Sequence, residues 1–152
     1  MVRIERDGDH LRLDDGAPLV TLSPTRVTDG DGSFMHFDMD GGALLDEGSG
    51  PPDIFERVPA AMPALAELEV LAGTYSSGEA ETTFNARVRD GALELTQRPA
   101  TVFRLAPLYA DAFESGLGTI IFHRDAGGHV TGLSVVQDRV WDLRFRREPV
   151  GE

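Results

Sequence analysis

Trp141-Asp142-Leu143-Arg144-Phe145-Arg146 alternates apolar with charged residues along its whole length. That is the period of an extended strand with one face buried and the other in water. The same beat recurs in Leu93-Glu94-Leu95 and in Phe103-Arg104-Leu105. Between such runs stand Asp-Gly and Gly-Gly pairs, the residues that tight hairpin turns require, so successive strands are expected to run antiparallel. Worked outward from residues 141–146, the pattern predicts strands over 74–77, 83–89, 92–97, 102–109, 112–115, 118–124, 130–137 and 140–147. A set of short strands joined in sequence order closes naturally into an antiparallel up-and-down β-barrel.

The first part of the chain repeats this plan in degenerate form. Arg6-Asp7-Gly8 before Leu11-Arg12-Leu13 returns as Arg89-Asp90-Gly91 before Leu93-Glu94-Leu95. Leu22-Ser23-Pro24 returns as Leu105-Ala106-Pro107, Phe37-Asp38-Met39-Asp40 as Phe122-His123-Arg124-Asp125, and Phe55-Glu56-Arg57 as Phe145-Arg146-Arg147. Self-similarity in a fixed order marks a module used twice. The expected fold is therefore all-β, an antiparallel barrel built from a degenerate tandem repeat with one short helix. In the first copy, strands are predicted over 2–6, 10–14, 18–26, 33–39 and 53–58. No counterpart of the strand ending at Tyr75 precedes them, and the turn-rich stretch Asp46 to Pro52 stands where strand 130–137 would fall. The helix lies between the copies, with Pro63 near its first turn, Leu65, Leu68 and Leu71 on one face and Gly73 past its C-cap. Its expected role is to cover a barrel end or sheet edge. This gives a truncated first repeat over 1–60, a linking helix over 61–73 and a complete second repeat over 74–148, with one overall domain as the other arrangement.

Composition removes several classes of function. The chain has 152 residues, enough for a real core, and a formal net charge of −12. Such a charge repels phosphate backbones and anionic membranes, so neither nucleic acid nor a membrane surface is an expected partner. All 14 basic residues are arginine. Without a lysine there is no Schiff base and no Ser/Lys dyad. Without cysteine there is no disulfide, thiolate nucleophile or Cys-based zinc site. Charges occupy the N-terminal stretch where a signal peptide needs an apolar run, and no long apolar run occurs, so the chain as given reads as cytoplasmic.

Sites weighed on residue pattern mostly resolve into ordinary structure. Thr28-Asp29-Gly30-Asp31-Gly32-Ser33 resembles half of a calcium loop, but Ser33 replaces a ligand and Leu44 does not supply the closing glutamate, which leaves a hairpin turn. His10, His36, His123 and His129 show no spacing that places two on one local face, and no metal or cofactor is expected. Gly116-Leu117-Gly118 leads into a strand pattern rather than a helix, so it holds no dinucleotide. Gly132-Leu133-Ser134 lacks the second glycine of a nucleophile elbow, and no catalytic residue is assigned. Arg139, Arg144, Arg146 and Arg147 could grip a carboxylate or form a salt-bridged face, and the face is preferred. Tyr75, Phe84, Phe103, Phe122, Trp141 and Phe145 are the ligand-binding candidates, since small barrels point alternate side chains inward. They serve equally as a packed core, the reading preferred here.

A further resemblance rests on motifs in order: Leu68-x-x-x-Ala72-Gly73-Thr74-Tyr75, Asp90-Gly91-x-Leu93, Leu105-x-Pro107-Leu108, Phe122-x-x-Asp125-x-x-Gly128-x-Val130-x-x-Leu133 and Phe145-x-Arg147. The series resembles the C-terminal domain of unknown function appended to serine β-lactamase-like, penicillin-binding-protein-like hydrolases, over about residues 65–148. The resemblance implies a lipocalin-like barrel beside an active site or in assembly. The catalytic half of those hydrolases carries Ser-x-x-Lys, which a chain without lysine does not contain, so no catalytic role carries over. The expectation is a non-catalytic accessory, interaction or oligomerisation domain, not an enzyme. Its alternative is a stand-alone lipocalin-like binder of a small apolar ligand. Because the first copy lacks a strand, a homodimer through an unpaired sheet edge is also expected.

Overall fold

Alternating side chains form the strands, and turn residues set where each one ends. The structure, a computed structural model, describes residues 4–13, 16, 18–38, 40–97, 100–137 and 140–149, with 140 and 141 described by backbone alone. The chain divides into two compact units, residues 1–58 and 59–152.

In the first unit, β1 (Ile4–Asp7), β2 (His10–Leu13), β3 (Pro18–Ser23), β4 (Arg26–Thr28), β5 (Phe34–Phe37), β6 (Ala43–Asp46) and β7 (Asp53–Phe55) form an open seven-stranded sheet. Each strand pairs antiparallel with the next. Leu19, Val27 and Met35 are buried on one face, against the half-buried Leu11, Leu13, Phe37, Ala43 and Leu45. Two expectations are corrected here. The single strand over 18–26 is two, because Pro24-Thr25 forms a turn, and proline has no N–H to give a ladder. The stretch 46–52 does not replace a strand: β6 ends at Asp46, and the chain then turns through Gly48 and Gly50, both at positive φ, to β7.

In the second unit, α1 (Leu65–Val70) precedes β8 (Gly73–Ser77), β9 (Thr82–Arg89), β10 (Ala92–Gln97), β11 (Thr101–Tyr109), β12 (Ala112–Ser115), β13 (Gly118–Arg124), β14 (Val130–Gln137) and β15 (Val140–Arg147). These eight strands close into an antiparallel up-and-down barrel, with β8 between β15 and β9. Every strand predicted for this half is present to within one residue at either end. Asp90 and Gly91 adopt φ of 49° and 75°, the doubly left-handed turn that matches strand twist in a two-residue hairpin.

The helix starts where the Glu67 carboxylate accepts the Ala64 N–H at 2.7 Å, replacing a bond the first turn lacks. Leu68 and Leu71 insert into the barrel core, whereas Leu65 is 53% exposed and so does not share the buried face expected of it. The C-cap is Leu71, which places Gly73 at the opening of β8 instead of directly past the cap. A Cβ on Gly73 would stand 3.0 Å from Arg147 Nε. Glycine there leaves room for Arg147 Nη2 to donate to the Ala72 carbonyl at 2.5 Å, which ties the last strand to the end of the helix. No helix among the described residues is long and apolar enough to cross a membrane.

Candidate functional site

Inward-facing positions of the barrel gather the predicted aromatic candidates. Tyr75, Phe84, Phe122 and Phe145 are fully buried, and Phe103 packs against them half-buried. Trp141 lies in β15, but its side chain is outside the described residues, as is Arg139. The rings touch one another across the barrel. Tyr75 meets Phe122 edge-on at 5.6 Å, Phe84 meets Phe145 at 4.9 Å, and Phe84 meets Phe103 at 6.4 Å. Phe113, absent from the candidates, completes the cluster at 5.7 Å from Phe122. Its signal was weak because β12 is only four residues long, too short for an alternation to register. Such interlocking fills space rather than holding it open.

Tyr75 donates its hydroxyl proton to the Leu71 carbonyl at 2.7 Å. Burial pushes its pKa up to about 12, opposed in part by the positive charges of Arg147 and Arg124. Arg124 in turn grips the Asp111 carboxylate with two nitrogens, at 2.7 and 2.8 Å, and donates to the Gly128 carbonyl at 3.0 Å. That bidentate pair, led by the Asp111 hydrogen bond, raises the arginine pKa further and clamps two turns together.

The outer face of the barrel carries a group that residue spacing concealed. Ser134 on β14 hydrogen-bonds His123 Nε2 of β13 at 2.6 Å and Asp142 Oδ1 of β15 at 2.5 Å, and Asp142 Oδ2 accepts from Arg144 Nε at 2.6 Å. Ser134 is 1% exposed. The Ser134 hydrogen bond, then that of Arg144, holds the Asp142 carboxyl below its usual range, so it is ionised at neutral pH and only accepts. The serine proton therefore points to the carboxylate, and the Ser134 oxygen accepts from His123 Nε2–H. A nucleophilic serine needs its proton directed at the base, with the carboxylate orienting that base from behind. Here serine sits in the middle of the chain, buried, which makes it a bracket across three strands. The signal available in the sequence was parity: these positions all fall on the outward face once the hairpin registers are known.

Beside this bracket runs an open groove of about 1350 Å³, bordered by Ser76, Glu79, Thr131, Arg146 and Glu148. Ser76 donates its hydroxyl to Glu148 across it. The predicted arginine cluster separates: Arg144 is paired with Asp142, Arg147 turns to the Ala72 carbonyl, and Arg146 alone has no partner among the described residues.

The acidic turns use their carboxylates on backbone. Asp29 Oδ1 accepts the N–H groups of Asp31 and Ser33 at 2.8 and 3.1 Å, and these hold its pKa below the usual value. Asp38 accepts from Asp40 and Gly42 at 3.0 and 2.7 Å, and Asp125 accepts from Gly127 and His129, both at 2.9 Å. Asp38 is thus the counterpart of Asp125, two residues off the sequence match of Asp40 with Asp125, because β5 is shorter than β13. No group of three metal-ligating side chains occurs among the described residues. Gly118, at φ 101°, opens β13 and faces the Val136 carbonyl; no helix follows it to hold a phosphate. No protein-family model matches the chain, and no curated protein matches its sequence.

Proposed function

We propose that the chain is a non-catalytic interaction module, two related antiparallel units of lipocalin-like plan that act as an accessory or assembly domain of serine-hydrolase type. The observation that carries this reading is the placement of the buried Ser134 Oγ between Asp142 Oδ1 and His123 Nε2, where the ionised carboxylate takes the hydroxyl proton. The absence of lysine supports it, since the Ser-x-x-Lys chemistry of the hydrolases that the second unit resembles has no counterpart. The interlocked rings inside the barrel favour it over a lipocalin-type binder of small apolar ligands. The test is turnover of β-lactams, activated esters and D-amino-acid peptides by the purified chain. No hydrolysis above background is expected. Turnover that is lost in Ser134→Ala would overturn the reading.

A further inference from the structure

We infer that the open sheet of the first unit is a strand-acceptor site, completed by an added peptide segment that supplies a turn of helix followed by an extended strand of Gly-Thr-Tyr type. The inference rests on the interaction reading above and names where the interaction occurs.

Strands β1 to β7 follow one another as β9 to β15 do, antiparallel and in order, and the Asp38 turn reproduces the Asp125 turn bond for bond. In the barrel, one element closes the two ends of that run. β8 pairs with β9 at five positions and with β15 at Arg146 and Arg147. It carries Tyr75 into the centre of the core, and the helix end just before it gives its Ala72 carbonyl to Arg147.

The first unit has the receiving half of this arrangement. The outer edges of β1 and β7 have no strand partner among the described residues. Unpaired edges are templates for an added strand, which gains main-chain hydrogen bonds at once. Arg57 follows Phe55 by two residues, as Arg147 follows Phe145. Its stem lies over Gly41 in the Asp38 turn, and it has no hydrogen bond or ion pair among the described residues. An arginine in that place is suited to the carbonyls of a helix C-terminus, the negative end of the helix. The buried residues of the sheet, Leu19, Val27 and Met35, include no aromatic side chain, whereas the barrel places Tyr75 and four phenylalanines at full burial. An inward aromatic on the donor strand meets that difference. A second copy of this chain is a poorer occupant, because two molecules of net charge −12 repel one another.

The probe is a synthetic peptide of the chain's own residues 62–77, titrated into the full chain by calorimetry and followed by amide hydrogen exchange. Binding at one peptide per chain is expected, with slower exchange in β1 and β7 and none in β9 and β15. Arg57→Ala, at an exposed position, should weaken binding about tenfold or more, the value of a hydrogen bond to a charged group. A peptide with Tyr75→Ala should not bind. Absence of binding, or protection that appears at β9 and β15 because the peptide displaces β8, overturns the inference. So does light scattering that shows a homodimer with β1 and β7 already protected, since the occupant is then a second copy. A peptide that fails to bind leaves the non-catalytic reading intact, whereas hydrolysis by the chain removes that reading without touching the edge.

Discussion

The open sheet β1–β7 and the strands β9–β15 run through the same antiparallel meander, and among the described residues only the second has a strand that closes it. With β8 in place, the inward side chains of the second unit face one another, and fifteen residues from α1 and the strands form one buried cluster. In the first unit, three of the described residues are fully buried. Phe145 is 3% exposed, while Phe55, in the matching motif, is half-buried and its neighbour Ile54 is 83% exposed. The closing strand is not the whole difference: residues 1–58 hold 20 hydrophobic side chains and residues 59–152 hold 42, so the first unit has both less to bury and less to bury it against. Closure also removes the edges that an open sheet must leave to solvent or to a partner.

The sharpest way to break this comparison is to damage the barrel core and watch the sheet. Phe145→Ala removes a ring packed on Phe84, and losses at such sites run to about 3–5 kcal/mol. Amide exchange in β8–β15 should accelerate by the corresponding factor while β1–β7 stay as they were. Equal acceleration in both units would show one cooperative structure in place of two.

A smaller effect comes from two glycines that share a backbone shape and differ in surroundings. Gly118 at φ 101° faces the Val136 carbonyl where a Cβ would stand, whereas Gly30 at φ 88° has nothing within 4 Å. Gly118→Ala should cost about 3 kcal/mol, the left-handed penalty plus the displacement of a packed strand. Gly30→Ala should cost about 1 kcal/mol, the penalty alone. Denaturant midpoints read from Trp141 fluorescence for the second unit and from amide exchange for the first would separate the two.

The barrel was legible in the sequence to within a residue because its strands are long enough to alternate and its turns carry Asp-Gly or glycine. The first unit was less so. Arg26-Val27-Thr28 and Ala43-Leu44-Leu45-Asp46 are too short for a period to stand out, and Pro24 is easily taken as the interior of one longer strand. That its motifs follow the same order as those of the barrel was nevertheless visible. The bracket His123–Ser134–Asp142 was not. Its members are eleven and eight residues apart, and only the hairpin registers bring them together. Leu65, Leu68 and Leu71 illustrate a related limit: spacing gave their face, but one short helix could bury only the two nearer the strands.

Alkali should distinguish the units more gently. Both tyrosines lie in the second unit. Burial holds the Tyr75 pKa at about 12, above its ordinary 10.0, so the folded barrel keeps a proton that the unfolded chain gives up. That contribution is complete below pH 10 and fades as pH rises to about 12, by about 2–3 kcal/mol at 1.36 kcal/mol per pKa unit. The midpoint of the barrel should fall across that window and that of the sheet should not. Tyr75→Phe should cost about 1 kcal/mol near neutrality for the lost bond to Leu71, and should flatten the alkaline slope.

Acid is the condition under which the two units should behave alike, and its effect is the smallest. Asp29 in the sheet and Asp125 and Asp142 in the barrel are all held below the ordinary value of 3.8, by the N–H of Asp31, the N–H of His129 and the Ser134 hydroxyl respectively. Below pH 3.8 the unfolded chain takes up these protons before the folded one does, so folding loses stability as pH falls through the folded values. Water competes for each of these exposed carboxylates, which keeps the change modest. Asp142→Asn should reduce the acid slope of the barrel, read from Trp141 fluorescence in urea between about pH 5 and pH 2, without altering that of the sheet. A change in both slopes would mean that the bracket on the outer face of the barrel also supports the first unit, and the two could no longer be treated as separately stable.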